Sequence, residues 1–273
     1  MREHNMNRLP TDKRARALHW MVEGASMRSI SRVEDVSMTA LDKLLTDAGE
    51  TCRGHHDRTV RRLPRKRVIE CDENWSFVYA KSRNADTAKP WDEVGDVWTW
   101  IAIDRDTRLV VSYHLSDGRD ARAATDFMMD LKPRLCAVPD ICADQLKSYP
   151  IAVRRVFGRR CLLTQRKGDG TTSHIERYNL KVRMGNRRYT RKTNAFSKTF
   201  KHHTAMMHLN TVYNNFCWHH KTLRVSPAMA AGMDDTLRDI GWIVDMIDAD
   251  APRRTVFGPA KGTKYRPRKP KGG

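Results

Sequence analysis

Apolar positions along this 273-residue chain follow two different spacings. Up to residue 49 they recur every three or four positions, the period of helices that bury one face. Residues 12–23 carry Ala15, Leu18, Met21 and Val22 on one side, and Gly24 stops the helix. Ser26 caps a second short helix around Ile30. Ser37 caps a third over 38–48, with Leu41, Leu44 and Leu45 inward and Gly49 as its terminator. Three short helices with a tight turn before the last predict a helix-turn-helix.

From residue 69 the spacing changes to two. Strict alternation puts Ile69, Cys71, Glu73, Trp75 and Phe77 on one face of a strand, and Glu70, Asp72, Asn74 and Ser76 on the other. Further strands are predicted at 97–103 and 109–113, then a helix over 121–131 with Ala124, Phe127, Met128 and Leu131 on one side. A short buried strand over 139–144 ends in Asp144. A helix over 149–157 and a strand over 160–163 follow. Residues 171–173 cap a helix running through Glu176, and 194–220 is the longest helical pattern, with Leu209, Val212, Tyr213 and Phe216 as its stripe. A last short helical segment surrounds Trp242, Ile243 and Met246. Three antiparallel strands followed by β-α-β alternation predict a mixed α/β sheet with helices on its faces, an order that resembles the RNase H-like fold. The predicted division is a helix-turn-helix domain over 1–57, a basic linker over 58–67, a catalytic domain over 68–250 and a disordered basic tail over 251–273.

Charge changes the picture from fold to partner. The chain has 51 Lys and Arg against 32 Asp and Glu, a net charge of +19, which points to a polyanion, nucleic acid before membrane surface. In that light Thr39, Asp42, Lys43 and Thr46 project from the third helix toward a major groove. Arg61, Arg62 and Arg65 of the linker, and Arg187, Arg188, Arg191 and Lys192 further on, lie along phosphates. No apolar run approaches the roughly 20 residues of a membrane span, and the N-terminus does not read as a signal peptide, so a cytoplasmic, nucleoid-associated protein is expected. Six cysteines without any C-x-x-C suit reduced thiols, and Cys52 with His55 and His56 is a weak zinc pattern.

A charged residue in a central strand needs a partner or a metal. Asp72 sits mid-strand, Asp144 ends another strand, and Glu176 opens a helix. In an RNase H-like sheet these three elements converge. Such carboxylates repel one another, and two hard divalent cations, Mg²⁺ or Mn²⁺, relieve that repulsion while activating phosphodiester chemistry. Glu73 competes with Asp72 but falls on the apolar face beside Trp75. Arg183, seven residues after Glu176 on the same helical face, is placed to hold a phosphate oxygen. A rival reading uses Tyr178, Tyr189 or Tyr213 as the nucleophile of a metal-free recombinase. Another is a DNA-binding regulator with an inert core.

Several stretches resemble, in order, those of compact bacterial insertion-sequence transposases of the DDE superfamily, the group typified by insertion sequence one. They are Cys71-Asp72-Glu73-Asn74-Trp75-Ser76-Phe77-Val78, Gly95-Asp96-Val97-Trp98-Thr99-Trp100, Ser173-His174-Ile175-Glu176-Arg177, Arg191-Lys192-Thr193-Asn194-Ala195-Phe196-Ser197, and the segment from His220-Lys221-Thr222 to Pro227-Ala228-Met229. The resemblance implies an RNase H-like core, Mg²⁺ dependence and action on terminal inverted repeats of double-stranded DNA. It assigns the catalytic acids to Asp72, Asp144 and Glu176 and a phosphate contact to Arg183. Transposition pairs two DNA ends, so a homo-oligomer is expected on DNA. Two departures stand out: the zinc finger that relatives often carry ahead of the helix-turn-helix is not seen, and Ala143-Asp144-Gln145 replaces a turn richer in hydroxyls and glycine.

Overall fold

β1 (Val68–Val78) is the centre of a five-stranded sheet ordered β3-β2-β1-β4-β5. The computed structural model describes residues 8–85, 94–165, 171–190 and 194–250. β1 runs antiparallel to β2 (Gly95–Asp104), in register from Ile69 against Asp104 to Val78 against Gly95. β2 is antiparallel to β3 (Val110–Ser116). On its other side β1 is parallel to β4 (Asp140–Ala143), which is parallel to β5 (Leu163–Gln165). Three antiparallel strands with two parallel ones beyond the first is the sheet order of the RNase H-like fold, as the element order predicts. β5 begins about three residues later than its apolar pattern predicts, since Cys161 is only partly buried and Leu162 is exposed at its entry.

Alternation along β1 separates two cores. Ile69, Cys71, Trp100 and Ala102 face α4 (Ala121–Leu131) and α5 (Ser148–Phe157), where the Trp100 ring lies 5.8 Å from Phe127 and 5.7 Å from Tyr149. Ile101 and Ile103 face the other way, onto Ile175, Tyr178 and Val182 of α6 (Ser173–Gly185) and Met207 of α7 (Phe200–Val212). Where helices cover both faces, buried polar side chains on β1 such as Glu70 depend on partners inside the protein, and Asn74 is buried without one among the described residues.

The N-terminal helices are α1 (Thr11–Val22), α2 (Met27–Glu34) and α3 (Met38–Thr59). Ser26 and Ser37 cap α2 and α3 by accepting from the Ser29 and Ala40 amides. Gly49, expected as a terminator, lies inside α3. Its use is close approach: a Cβ there would sit 2.5 Å from both Cα and Cβ of Ala205, so α3 and α7 cross at backbone contact. One apolar cluster runs from Leu18, Leu41 and Ala48 through Cys71 and Trp100 to Leu209, Phe216 and Ile243. Arg14 adds a bidentate pair (2.6 and 2.8 Å) to Asp248 of α9 (Ile240–Asp250). The N-terminal helices therefore share a core with the sheet, and α3 crosses the boundary suggested by charge at 57/58. Within the basic run Leu63 is fully buried, and its N–H donates to the Arg134 carbonyl at 2.8 Å. That segment is pinned at its middle.

The helix expected over 194–220 begins later. Residues 194–199 cross the end of β1 through a parallel bridge between Val78 and Ser197. Thr199 then caps α7 at the His202 amide. After Val212 the helix widens into a π-turn, Tyr213–Cys217, and α8 (Pro227–Ala230) follows. Arg191, Lys192 and the basic tail lie outside the described residues.

Candidate active site

Parallel pairing of β1 with β4 ends at Cys71 against Ala143. One step further along both strands stand Asp72 and Asp144, so the register itself brings two carboxylates side by side. Carboxylate oxygens of Asp72, Glu73 and Asp144 lie within 4.8 Å of one another, and among the described residues this is the one cluster of side chains able to hold a metal ion. Glu73 thus joins the site, although alternation sends it to the opposite face. Its buried carboxylate lies where β4 ends, so acids from both faces of β1 meet Asp144 there.

Each acid has distinct support. Asp72 Oδ2 accepts a 2.8 Å hydrogen bond from Asn179 Nδ2 on α6. Burial raises its pKa, with the charges of Asp144 and Glu176 adding to the effect against the Asn179 bond. The Glu73 side chain is 1% exposed; it accepts from the Tyr149 hydroxyl and lies 3.9 Å from Arg119 Nη1. Burial foremost, then Asp144 and Asp72, push its carboxyl up to about 8. Asp144 caps its own turn, Oδ1 accepting from the Leu146 amide at 2.9 Å, while Gln165 Nε2 donates to its carbonyl at 2.6 Å. Glu176 is exposed on the first turn of α6 and accepts from the Thr172 hydroxyl at 2.7 Å. It is outside the tight cluster yet close enough to Asp72 for its charge to be felt. The donor set is hard oxygen throughout, with too few cations against it, and this fits Mg²⁺ or Mn²⁺.

Glu70 supports the candidate site, and spacing alone does not single it out. Fully buried on β1, it accepts from the His174 and Ile175 amides (2.9 and 3.0 Å) and from Arg105 Nε (2.8 Å). A side chain of the central strand thereby caps the helix that carries Glu176. A buried Glu two residues before Asp72 was the available signal.

The predicted DNA contacts scatter. Thr39 and Lys43 are exposed on α3, with Lys43 paired to Asp47, while Thr46 turns back to the Asp42 carbonyl. Arg62 and Arg65 are exposed with positive φ, and Arg61 is half-buried against the Asp57 carbonyl. Arg183 is half-buried on α6, on the flank shared with Glu176 and Asn179. Arg187 and Arg188 line a cleft of about 1040 Å³ between the α1–α2 turn, the start of α3 and residues 194–206, together with Arg28 and Lys198. Cys52 and His56 are consumed in packing, His56 being fully buried on the Val110 carbonyl. Tyr178, Tyr189 and Tyr213 are buried, which removes the three proposed tyrosine nucleophiles from reach of a phosphodiester. No helix among the described residues is long and apolar enough to cross a membrane.

The family model described as IS1 transposase matches residues 67–215. The InsB protein of insertion element IS1 4 from Escherichia coli K12 is 30% identical over 148 residues, 53% of this chain and 75% of that protein. The IS1 InsB protein of Shigella flexneri is 28% identical over 134 residues, 49% of this chain and 86% of that one. Among solved structures, a chain of the simian T-cell lymphotropic virus intasome in complex with a PP2A regulatory subunit superposes with a TM-score of 0.36 at 11% identity. It covers 93% of this chain and 78% of its own.

Proposed function

The chain belongs to the IS1 transposase family, and from that membership we propose that it binds the terminal inverted repeats of a mobile element and cuts and joins DNA strands there. The observation that carries the chemistry is the meeting of Asp72, Glu73 and Asp144 within 4.8 Å where β4 ends against the middle of β1. Asp72 from the middle of β1 and Asp144 just past β4 would hold divalent metal, and Glu176 would complete the ligand set from α6. When bound, such ions activate an attacking oxygen and neutralise charge on the leaving oxygen. Asn179 fixes the Asp72 carboxylate, Tyr149 and Arg119 fix Glu73, and Glu70 fixes the helix that presents Glu176. Arg183 holds a phosphate oxygen of the strand being cut. With water as nucleophile the strand is nicked; with a 3′-hydroxyl, strands are joined.

DNA reaches this site across basic surface. A net charge of +19 supports salt-sensitive phosphate binding. Thr39 and Lys43 read the element end from α3, and Arg61, Arg62, Arg65, Arg187, Arg188, Arg191 and Lys192 hold the backbone. Two ends are brought together by a homo-oligomer. The test is Mg²⁺-dependent cleavage of end-bearing DNA by Asp72→Asn and Asp144→Asn, with Asp140→Asn as control. Loss of cleavage in the first two, with DNA binding retained, is expected. Undiminished cleavage by Asp72→Asn would sink the assignment, and a parent chain that binds DNA without cutting it would favour a regulator.

A further inference from the structure

The sheet extends beyond its helical cover. On the α4–α5 face, β1 presents Cys71, Glu73, Trp75 and Phe77 in succession, paired with Ala102, Trp100, Trp98 and Asp96 of β2. Cys71 and Trp100 are fully buried under the helices, whereas Trp75, Trp98 and Phe77 keep part of their surface in solvent. The segment before α7 adds Phe196. Trp75 lies 5.8 Å from Phe77, and Phe77 lies 4.8 Å from Phe196, with ring planes tilted by only 36° and 35°. Tyr79, at φ 60°, stands 56% exposed at the strand end.

Cations attend every ring of this row. The Arg119 guanidinium is 4.1 Å from the Trp98 centroid. Lys81 Nζ is 5.6 Å from Trp75 and 5.8 Å from Phe77, and Lys198 Nζ is 3.6 Å from Phe196 and 6.0 Å from Tyr79. The row begins at the carboxylates, because Glu73 is two residues from Trp75, about 6–7 Å along a strand, and Arg119 contacts both Glu73 and Trp98.

Exposed π-faces with lysine and arginine beside them match one class of ligand well. An apolar protein partner would bury the rings but strip water from the cations without neutralising them. Duplex DNA would satisfy the cations but keep its bases stacked inside the helix, away from the rings. Unpaired nucleotides satisfy both, bases on rings and phosphates on cations. We propose that Trp75, Trp98, Phe77 and Phe196 form a stacking platform for a short single-stranded stretch of DNA, with Lys81, Lys198 and Arg119 as its phosphate contacts. Its place beside the scissile phosphate rests on the transposase reading above; the binding itself does not.

Binding of a short fluorescent oligothymidylate to the full chain, read by anisotropy in EDTA, separates the two. Trp75→Leu and Phe196→Leu keep apolar bulk and remove the π-face, with melting temperature as the fold control. Each is expected to weaken single-strand binding roughly 5- to 150-fold, given stacking of about 1–3 kcal/mol per base. Affinity for a duplex of equal length should stay within twofold, and Trp75→Phe should restore single-strand binding. Single-strand affinity within twofold of the parent in both leucine variants would overturn the platform. Equal weakening for duplex would also overturn it, as would loss of self-association with single-strand binding intact. If Asp72→Asn leaves cleavage unchanged while the leucine variants lose single-strand binding, the cleavage reading fails and the platform stands.

Discussion

Asn179 donates a 2.8 Å hydrogen bond to Oδ2 of Asp72, linking α6 to the central strand at an acid whose ionisation is opposed by burial. The bond favours the charged carboxylate, so its removal by Asn179→Leu raises the Asp72 pKa further and loosens its orientation. Supporting contacts of this kind change metal affinity or activity by about 10- to 100-fold. The expected outcome is a fall in cleavage of that size and a higher Mg²⁺ requirement, read from initial rates across a metal titration. Rates and half-saturation equal to the parent's would show that Asp72 needs no such anchor.

At the crossing of α3 and α7 no side chain fits. Gly49→Ala drives a methyl group to 2.5 Å from Ala205 Cα, so the helices must separate. Overpacking of this kind costs about 1–3 kcal/mol. Urea unfolding should show a lower midpoint in a single transition, because α3 shares its core with the sheet. Two transitions, with only the first displaced, would mean that the N-terminal helices unfold as a separate unit.

These two contacts mark what was legible in the chain. Period-two alternation identified β1 and its two faces, and the order of strands and helices implied the sheet, because those patterns depend on burial alone. The cap serines at 26 and 37 were equally local signals. Gly49 reads as a terminator because a glycine at a helix end and one at a helix crossing look the same in sequence; only Ala205, far along the chain, distinguishes them. Alternation places Glu73 on the apolar face, where it lies, but its nearness to Asp144 arises from where β4 stops, and alternation says nothing about strand length. The break before α7 likewise depends on Ser197 bridging to Val78.

Glu70 stands at the base of the site without joining the cluster. Glu70→Ala removes the acceptor for the His174 and Ile175 amides and leaves Arg105 without its carboxylate partner. A loss of about 2–4 kcal/mol is expected, since buried donors are left unsatisfied beside a half-buried guanidinium. Glu70→Gln keeps one acceptor oxygen and should lose less. Denaturant midpoints order the three proteins. If the alanine variant were as stable as the parent, α6 would need no cap from β1.

His203 supplies a pH dependence whose sign follows from its setting. The ring is fully buried between the hydroxyls of Ser76 (2.9 Å) and Ser197 (2.8 Å) and stacks on Tyr189 at 4.3 Å. Burial, helped by the charge of Arg188, lowers its pKa to about 3. The unfolded chain takes up the proton near 6.5 while the folded chain does not, so stability is present above 6.5 and is lost as pH falls toward 3. His56, also lowered to about 3 by burial and by Arg134, acts in the same direction. Each such histidine contributes a slope of up to about 1.4 kcal/mol per pH unit. Glu73, raised by burial to about 8, acts in the opposite sense over this range. Two histidines outweigh one carboxyl, so urea midpoints taken from pH 7.5 to 4.5 should fall below 6.5. His203→Asn is expected to be less stable at pH 7.5, because the amide cannot span both serines, and to show a shallower decline in acid. A parent chain whose midpoint is flat from 6.5 to 4.5 would mean that these rings gain protons in the folded protein as readily as in the unfolded one.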